Sequence, residues 1–324
     1  MAQQIELTNT VSESQLGKRL DQVIAELYPD YSRSRIKEWI LKDMVSVNGK
    51  IDNKPRSKMM GGEELFIQAE IEDEMRWIAQ DLPLDVVYED DDILVINKPR
   101  DFVVHPGAGT PDGTVLNALL YHYPALAEVP RVGIVHRLDK DTTGLMVVAK
   151  TIQSQTRLVR ALQKRKITRE YEAIAIGQMT GGGTIEKPIG RHATKRICMA
   201  VHELGKDAIT HYRVAERFRE HTRIVLRLET GRTHQIRVHM SYMSHPLIGD
   251  VIYGGRPRPP RHASDEFIHA LRSFDRQALH ARMLRLSHPM TGELMEWHAP
   301  LPNDMVAMID ILRKDNAENN EDMY

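Results

Sequence analysis

Residues 136–150 read HRLDKDTTGLMVVAK, a polar segment that changes abruptly into an apolar one. The apolar run predicts a strand over 144–149 that is buried on both faces. Asp139 and Asp141 precede this strand among basic residues, which places Asp139 at the edge of a core with cations that favour its ionised form. An ionised carboxylate in that position suits a nucleophile or a base. A turn aspartate that binds its own backbone is the alternative, and it fits Asp141 better than Asp139.

A second polar segment, TGRTHQIRVHM at 230–240, predicts a helix that begins at Gly231 and carries His234 and Arg237 one turn apart. A buried arginine in this helix can bind a carboxylate through two hydrogen bonds. A surface helix that binds phosphate is the alternative. His234 and His239 are five residues apart, which does not place two ligands on one helical face, and no HExxH motif occurs. We therefore expect no metal site.

A third segment, KRKITREYEA at 164–173, leads from a basic cluster into a strand predicted over 168–177. Its Tyr171 could stack on a nucleobase while the neighbouring cations bind phosphate. An ordinary strand tyrosine with its ring in the core is the alternative.

The net charge of −1 conceals an uneven distribution, since residues 131–240 contain 22 Lys and Arg against 10 Asp and Glu. A basic region of this size suits a polyanion, although a solvated charged face has the same composition. The single cysteine, Cys198, excludes an internal disulfide and a cysteine-based zinc site. No glycine-rich phosphate motif follows a strand, and we expect no cofactor.

The 324 residues are enough for about two domains. Two helices and a short hairpin predict a small α/β unit over 16–76, and an acid-rich segment over 70–85 predicts a linker. The irregular order of strands and helices beyond it predicts an α+β domain over 84–312, with a mixed, largely antiparallel sheet. Residues 313–324 are expected to form a frayed tail. The longest apolar runs are five residues long and no secretory signal is visible, so we expect a cytoplasmic protein without a membrane span, and a monomer by default.

Together these segments resemble the RluA family of pseudouridine synthases. HRLDKDTTGLMVVAK is similar to the family's catalytic motif HRLDxxTSGLLxxAK, with Thr143 where serine is commoner, and REYEA and TGRTHQIRVHM are similar to its tyrosine and basic segments. Residues 97–99 (NKP), 245–250 (HPLIGD) and 279–281 (LHA) also match. The N-terminal unit resembles an S4 RNA-binding domain. The resemblance covers residues 11–310.

The resemblance implies an enzyme that converts uridine in RNA to pseudouridine, with no metal and no cofactor. It implies that Asp139 is the essential carboxylate, that Arg237 pairs with it, and that Tyr171 packs on the uracil and helps to remove the C5 proton. Arg137 would enter the space vacated by the flipped base. Further contacts to the substrate are expected from His136, Arg232 and His234, and contacts of the S4-like unit to RNA from Arg33, Arg35, Lys37 and Lys50.

The implied substrate is a stem-loop of 23S ribosomal RNA, free or within a precursor of the large subunit. Two other functions remain open at this point. A non-catalytic S4-type assembly factor would explain the N-terminal unit but not HRLDKDTTG. A hydrolase acting on the N-glycosidic bond would share a carboxylate at C1′, but it normally needs a second, opposed carboxylate.

Overall fold

The computed structural model describes residues 3–28, 31, 33–71, 77–107, 109–195 and 197–320, and the chain divides into two compact units, 1–76 and 77–324. The elements of the first unit are β1 (Gln3–Thr10), α1 (Leu20–Leu27), α2 (Arg33–Leu41), β2 (Val45–Val47), β3 (Lys50–Ile51) and β4 (Glu64–Ile71). Its antiparallel sheet has the order β1-β4-β2-β3. Apolar residues of both helices form one core with this sheet, as the predicted α/β unit requires.

The first unit differs from the sequence prediction at its N-terminal end. Strand β1 was not predicted, and it pairs with β4 along its whole length. The apolar pattern over 16–27 predicts that the first helix begins at Leu16, but the helix begins at Leu20 and Leu16 is exposed. The sequence also predicts Ser32 as the cap of the second helix, and this residue lies outside the described part of the chain.

The second unit consists of a large sheet with helices around it. Its elements are β5 (Val86–Glu89), β6 (Ile93–Lys98), α3 (Val115–His122), β7 (Thr143–Ala149), α4 (Ile152–Gln163), β8 (Thr168–Ile176), β9 (Gly183–Glu186), β10 (Ile189–Arg191), β11 (Met199–Val201), β12 (Ile209–Arg217), β13 (His221–Leu228), α5 (Gln235–Tyr242), α6 (Asp265–Ser273), β14 (Leu279–Ser287), β15 (Leu294–His298) and α7 (Asn303–Asn320). The main sheet has the order β5-β6-β7-β14-β8-β13-β12-β9, with β15 paired to β14. Only β7 and β14 run parallel among the described pairs of this sheet. The predicted α+β fold with a mixed, largely antiparallel sheet is confirmed.

Strand β7 is buried along its entire length, as its apolar run predicts. Leu145 and Val147 pack on the face that α4 covers, and Met146 and Val148 pack with α3 on the other face. At Gly144 the parallel neighbour comes so close that a Cβ atom would lie 2.3 Å from the carbonyl oxygen of Ala281. Only glycine permits that approach, so the backbone that follows Asp139 is fixed against β14.

Residues 77–85 of the predicted linker and the residues of the predicted tail belong to the second unit. Leu82 and Leu84 pack against its core, and the side chain of Asn117 donates to the carbonyl of Ile78. The expected frayed tail is instead helical from residue 313 to Asn320, and the remaining four residues lie outside the described part. Within the described ranges, no helix is long and apolar enough to cross a membrane.

Candidate active site

An open cavity of about 540 Å³ lies in the second unit, where the loop before β7, the start of β8 and the loop before α5 meet. Seven of the predicted site residues line it: His136, Arg137, Asp139, Tyr171, Arg232, His234 and Arg237. Three segments that are far apart in the sequence therefore meet in one place. The roles assigned to these residues are expectations that geometry alone does not test.

The carboxylate of Asp139 forms an ion pair with a buried guanidinium. Arg237 Nη1 lies 3.2 Å from Asp139 Oδ2, and the opposite edge of Arg237 binds Asp250 through Nε to Oδ2 at 2.7 Å and Nη2 to Oδ1 at 2.9 Å. The side chain of Asp250 is wholly buried, whereas that of Asp139 is 18% exposed. Burial opposes the charge of Arg237, but the two carboxylates outweigh it and raise its pKa. Asp139, Arg237 and Asp250 form a triad, and Asp139 is the member that remains accessible to a substrate.

Tyr253 completes the support of this triad. Its ring centroid lies 5.0 Å from Arg237 Cζ, and its hydroxyl lies 2.7 Å from His234 Nδ1 and accepts a hydrogen bond from the Met199 amide. Burial lowers the pKa of His234 although Asp139 opposes the shift, so the ring is neutral at physiological pH. Neither Asp250 nor Tyr253 was predicted as a site residue. The match at HPLIGD, which ends on Asp250, was the signal that could have found the first of them.

The helix predicted from Gly231 begins instead at Gln235, because His234 adopts a left-handed conformation with φ of 55°. The Gln235 side chain accepts hydrogen bonds from the Arg232 amide and the Thr230 hydroxyl, and this closes a turn before the helix. His234 and Arg237 are therefore not neighbours on a helical face. They reach Asp139 from the turn and from the helix respectively, with His234 Nε2 3.9 Å from Asp139 Oδ1.

The residues after Asp139 are each held by a different buried side chain. Lys98 Nζ donates to the carbonyl of Lys140 at 2.8 Å, and Arg276 Nη1 donates to the carbonyl of Asp141 at 3.1 Å. Gln277 then binds the hydroxyl of Thr142. These contacts give the loop one fixed backbone path, which orients the carboxylate toward the cavity.

Thr143 continues this pattern at the position where the related motif has serine. Its hydroxyl lies 2.8 Å from His280 Nδ1, and both side chains are buried. A serine would offer the same oxygen. The substitution therefore preserves the contact that the motif requires.

Tyr171 lies on β8 and is 5% exposed, with its ring in the core that lines the cavity. Its hydroxyl has no hydrogen-bond partner within the part of the chain that the structure describes. Burial raises the pKa of this phenol, and Asp139 adds to the shift while Arg169 opposes it. The hydroxyl is therefore neutral and free to meet a substrate.

The imidazole of His136 is fixed by a hydrogen bond to the backbone of β7. Its Nε2 accepts a hydrogen bond from the Val147 amide at 3.1 Å, and burial lowers its pKa to about 3. The ring is neutral and tied to β7, so the part available to a substrate is the ring edge at the cavity wall. Arg137 is exposed at the mouth, and Arg232 donates from Nε to the carbonyl of Asp207.

The basic residues predicted for the S4-like unit lie on α2 and β3. Lys37 and Lys50 are exposed and Arg35 is half-buried. The side chain of Arg33 lies outside the described residues. Contact of these residues with RNA stays a prediction.

One group of side chains in the described ranges has the composition of a metal site, Asp90, Asp92 and His288. However, His288 Nδ1 accepts hydrogen bonds from the amides of Met290 and Thr291, so the hydrogen of the neutral ring is on Nε2. That nitrogen is buried and lies 3.1 Å from Asp90 Oδ2. A protonated nitrogen cannot bind a metal ion, and this donor set does not fit one.

The chain matches two protein families and several full-length relatives. The family described as RNA pseudouridylate synthase matches residues 92–242, and the family described as S4 domain matches residues 18–65. The chain is 74% identical over 318 residues to the ribosomal large subunit pseudouridine synthase D of Vibrio parahaemolyticus, covering 98% of each chain. It is 68% identical over 323 residues to the proteins of that name from Salmonella typhimurium and Escherichia coli K12, covering 100% of this chain and 99% of theirs.

Two solved structures of proteins named for an RNA pseudouridylate synthase domain are also similar to this chain. Human RNA Pseudouridylate Synthase Domain Containing 4 superposes with a TM-score of 0.56 at 26% identity, covering 71% of this chain and 93% of that chain. For Human RNA Pseudouridylate Synthase Domain Containing 1 the TM-score is 0.52 at 27% identity, with coverage of 72% and 96%. The relationship implied by HRLDKDTTG, REYEA and TGRTHQIRVHM is confirmed, and this chain belongs to the family of RNA pseudouridylate synthases.

Proposed function

We propose that the chain isomerises specific uridines to pseudouridine in a stem-loop of 23S ribosomal RNA, during maturation of the large subunit. The observation that carries this proposal is the accessible carboxylate of Asp139, held by Arg237 at the base of a cavity beside Tyr171. The names of the full-length relatives support a large-subunit substrate. A non-catalytic assembly factor would have no use for this triad.

The reaction needs the uridine outside its helix. Extruding a base costs a few kcal/mol, least in loops, which favours a stem-loop target. Arg137 is exposed and lines the cavity, and we propose that it fills the space that the base leaves. Asp139 then acts on the sugar, the N1–C1′ bond breaks, the uracil turns, and C5 bonds to C1′ as the C5 proton leaves. Tyr171 provides the surface on which the ring turns.

The groups that this isomerisation requires all come from the chain. The reaction transfers no hydride and consumes no water, so we propose that it proceeds without a cofactor. We further propose that the protein acts as a cytoplasmic monomer, with the S4 domain adding phosphate contacts and raising the local concentration of the RNA.

Incubation of the protein with 23S RNA transcribed from [5-³H]uridine tests the reaction. Isomerisation releases tritium to water and leaves no free uracil. Free uracil would indicate hydrolysis of the glycosidic bond, and binding without either product would leave an assembly factor. Mapping pseudouridines by chemical probing in cells with and without the protein then identifies the target uridines.

A further inference from the structure

Arg169 is a buried guanidinium that the active-site triad does not use. It lies on β8 two residues before Tyr171, on the same face of the strand, and it lines the cavity with 8% of its surface exposed. Its Nε is completely buried and has no hydrogen-bond partner among the described residues. No carboxylate of those residues lies within ion-pair distance of it either.

The other two buried arginines of the described chain are fully engaged. Arg237 binds Asp139 and Asp250, and Arg276 binds Asp304 and three backbone carbonyls. A buried cation without an acceptor costs free energy, and folds retain such a group where a ligand supplies the acceptor.

Neighbouring groups leave Arg169 no partner among the described residues. A Cβ atom at Gly231 would lie 2.8 Å from Arg169 Nη1, so the backbone before α5 closes over one edge of the guanidinium. The carboxylate of Glu229, on the same loop, already binds Arg165 and His211 at 2.7 Å each. The open part of the guanidinium therefore faces the cavity.

We propose that Arg169 binds a carbonyl oxygen of the flipped uracil and stabilises the negative charge that the ring acquires when the N1–C1′ bond breaks. This inference rests on the proposed function. The electron pair of that bond goes to N1, whether C1′ gains an oxygen of Asp139 or the sugar loses a proton to Asp139. The charge spreads to O2 and O4, and it disappears when C5 bonds to C1′ and the C5 proton leaves.

The location of Arg169 favours the base over a phosphate. Its neighbour along the strand face is Tyr171, and its charge acts on the buried groups Tyr171 and His136, whose pKa values it lowers. The RNA backbone must stay at the mouth, where the exposed Arg137 is available. A guanidinium inside the cavity meets the base, whose only strong acceptors are its carbonyl oxygens.

The first test separates binding from chemistry in the full-length protein. We would measure single-turnover tritium release at saturating 23S RNA, and the Kd for this RNA at several salt concentrations. The variants are Arg169→Gln, Arg169→Lys and, as a control, Arg213→Gln, since Arg213 is exposed on β12. We expect Arg169→Gln to slow release about 100-fold or more, as removal of a transition-state donor does, with Kd and salt slope unchanged. Arg169→Lys should recover part of the rate. A weaker Kd with a salt slope lower by about 0.7–0.9 and an unchanged rate would indicate a phosphate contact and overturn the proposal.

The second test measures how strongly the rate depends on the leaving group, a dependence that a merely structural role of Arg169 would not change. Fluorine at C5 makes uracil a weaker base and a better leaving group. The ratio of the rate at which 5-fluorouridine in RNA is consumed to the rate for uridine should therefore be larger in Arg169→Gln than in the wild type. Equal rate ratios in the two proteins would overturn the proposal. Wild-type protein that releases no tritium from uridine RNA would instead refute the proposed function.

Discussion

Asp250 holds Arg237 through its Nε and Nη2 groups, and the Nη1 group of the same guanidinium binds Asp139. Asp250 is wholly buried and also accepts hydrogen bonds from the amides of Ile252 and Tyr253, so its position is fixed by the backbone. The direction of the guanidinium, and through it that of Asp139, is therefore set by a residue that cannot reach the substrate.

Replacing Asp250 with asparagine should impair both folding and turnover. The change leaves a buried guanidinium with one carboxylate fewer, which costs about 3–5 kcal/mol of unfolding free energy. Tritium release should fall at least about tenfold because the orientation of Arg237 is lost, while RNA affinity is kept. Asp315→Asn is the matched control, since Asp315 binds Arg219 in the same two-bond geometry far along the chain on α7. It should lower stability by a smaller amount, because the Arg219 side chain is 21% exposed, and leave turnover intact. Equal losses of turnover in the two variants would remove the positioning role.

Replacing Asp139 with asparagine should abolish tritium release, because the amide keeps the shape of the side chain but neither attacks C1′ nor takes a proton. RNA affinity should stay within about threefold, since Asp139 is an anion that adds nothing to phosphate binding. Asp141→Asn is the control within the same loop. Among the described residues, the Asp141 side chain makes one hydrogen bond, which it accepts from the Asp101 amide, so the activity of this variant should remain within a few-fold. Measurable turnover by Asp139→Asn would disprove the essential role.

The features predicted from sequence are those encoded in contiguous residues. The apolar run of β7 predicts a doubly buried strand, and the polar residues before it place Asp139 at the edge of the core. The pairing of Asp139 with Arg237 joins residues 98 positions apart, and only the family resemblance suggested it. Asp250 was missed as a site residue because its pairing with Arg237, 13 residues earlier, is apparent only in the folded structure.

The missed elements likewise depend on distant partners. Strand β1 is largely polar, and its partner β4 begins more than 50 residues later, so no local pattern marks it. The tail contains a high proportion of acidic and amide residues, which suggested fraying. Its Asp315 is paired with Arg219, and Met308 and Leu312 are buried, which keeps this part of the chain helical.

Tyr171→Phe should test whether the phenol acts as a neutral group. Because burial raises the pKa of Tyr171 above its ordinary value of 10.0, the hydroxyl stays protonated at every pH below about 9. The single-turnover rate of the wild type should therefore show no rise between pH 7 and 9 from this residue. The phenylalanine variant keeps the packing surface and should bind RNA normally, with a slower release of tritium. A wild-type rate that rises tenfold per pH unit, and no longer does so in Tyr171→Phe, would show a phenolate base instead.

Exposed lysines of the S4 domain should contribute to affinity and not to the reaction. Lys37→Ala combined with Lys50→Ala removes two cations, so the slope of log Kd against log salt should flatten by about 0.7–0.9 for each phosphate that these lysines neutralise. Turnover at saturating RNA should not change. Lys18→Ala is the control in the same domain, because Lys18 already binds Glu26 at 2.9 Å. A salt slope equal to that of the wild type would show that Lys37 and Lys50 do not contact RNA.

Lys98→Met should change how stability depends on pH. Burial lowers the pKa of Lys98 from 10.5 to about 7, although Asp141 and Asp139 oppose the shift. Between these two values the unfolded chain binds a proton that the folded chain does not, so the free energy of unfolding rises with pH in this window. The contribution is at most about 1.4 kcal/mol per pH unit, and methionine removes it. Urea unfolding at pH 7, 8 and 9 should therefore show a wild-type advantage that grows with pH, whereas a constant difference would mean that Lys98 is charged in the folded protein throughout.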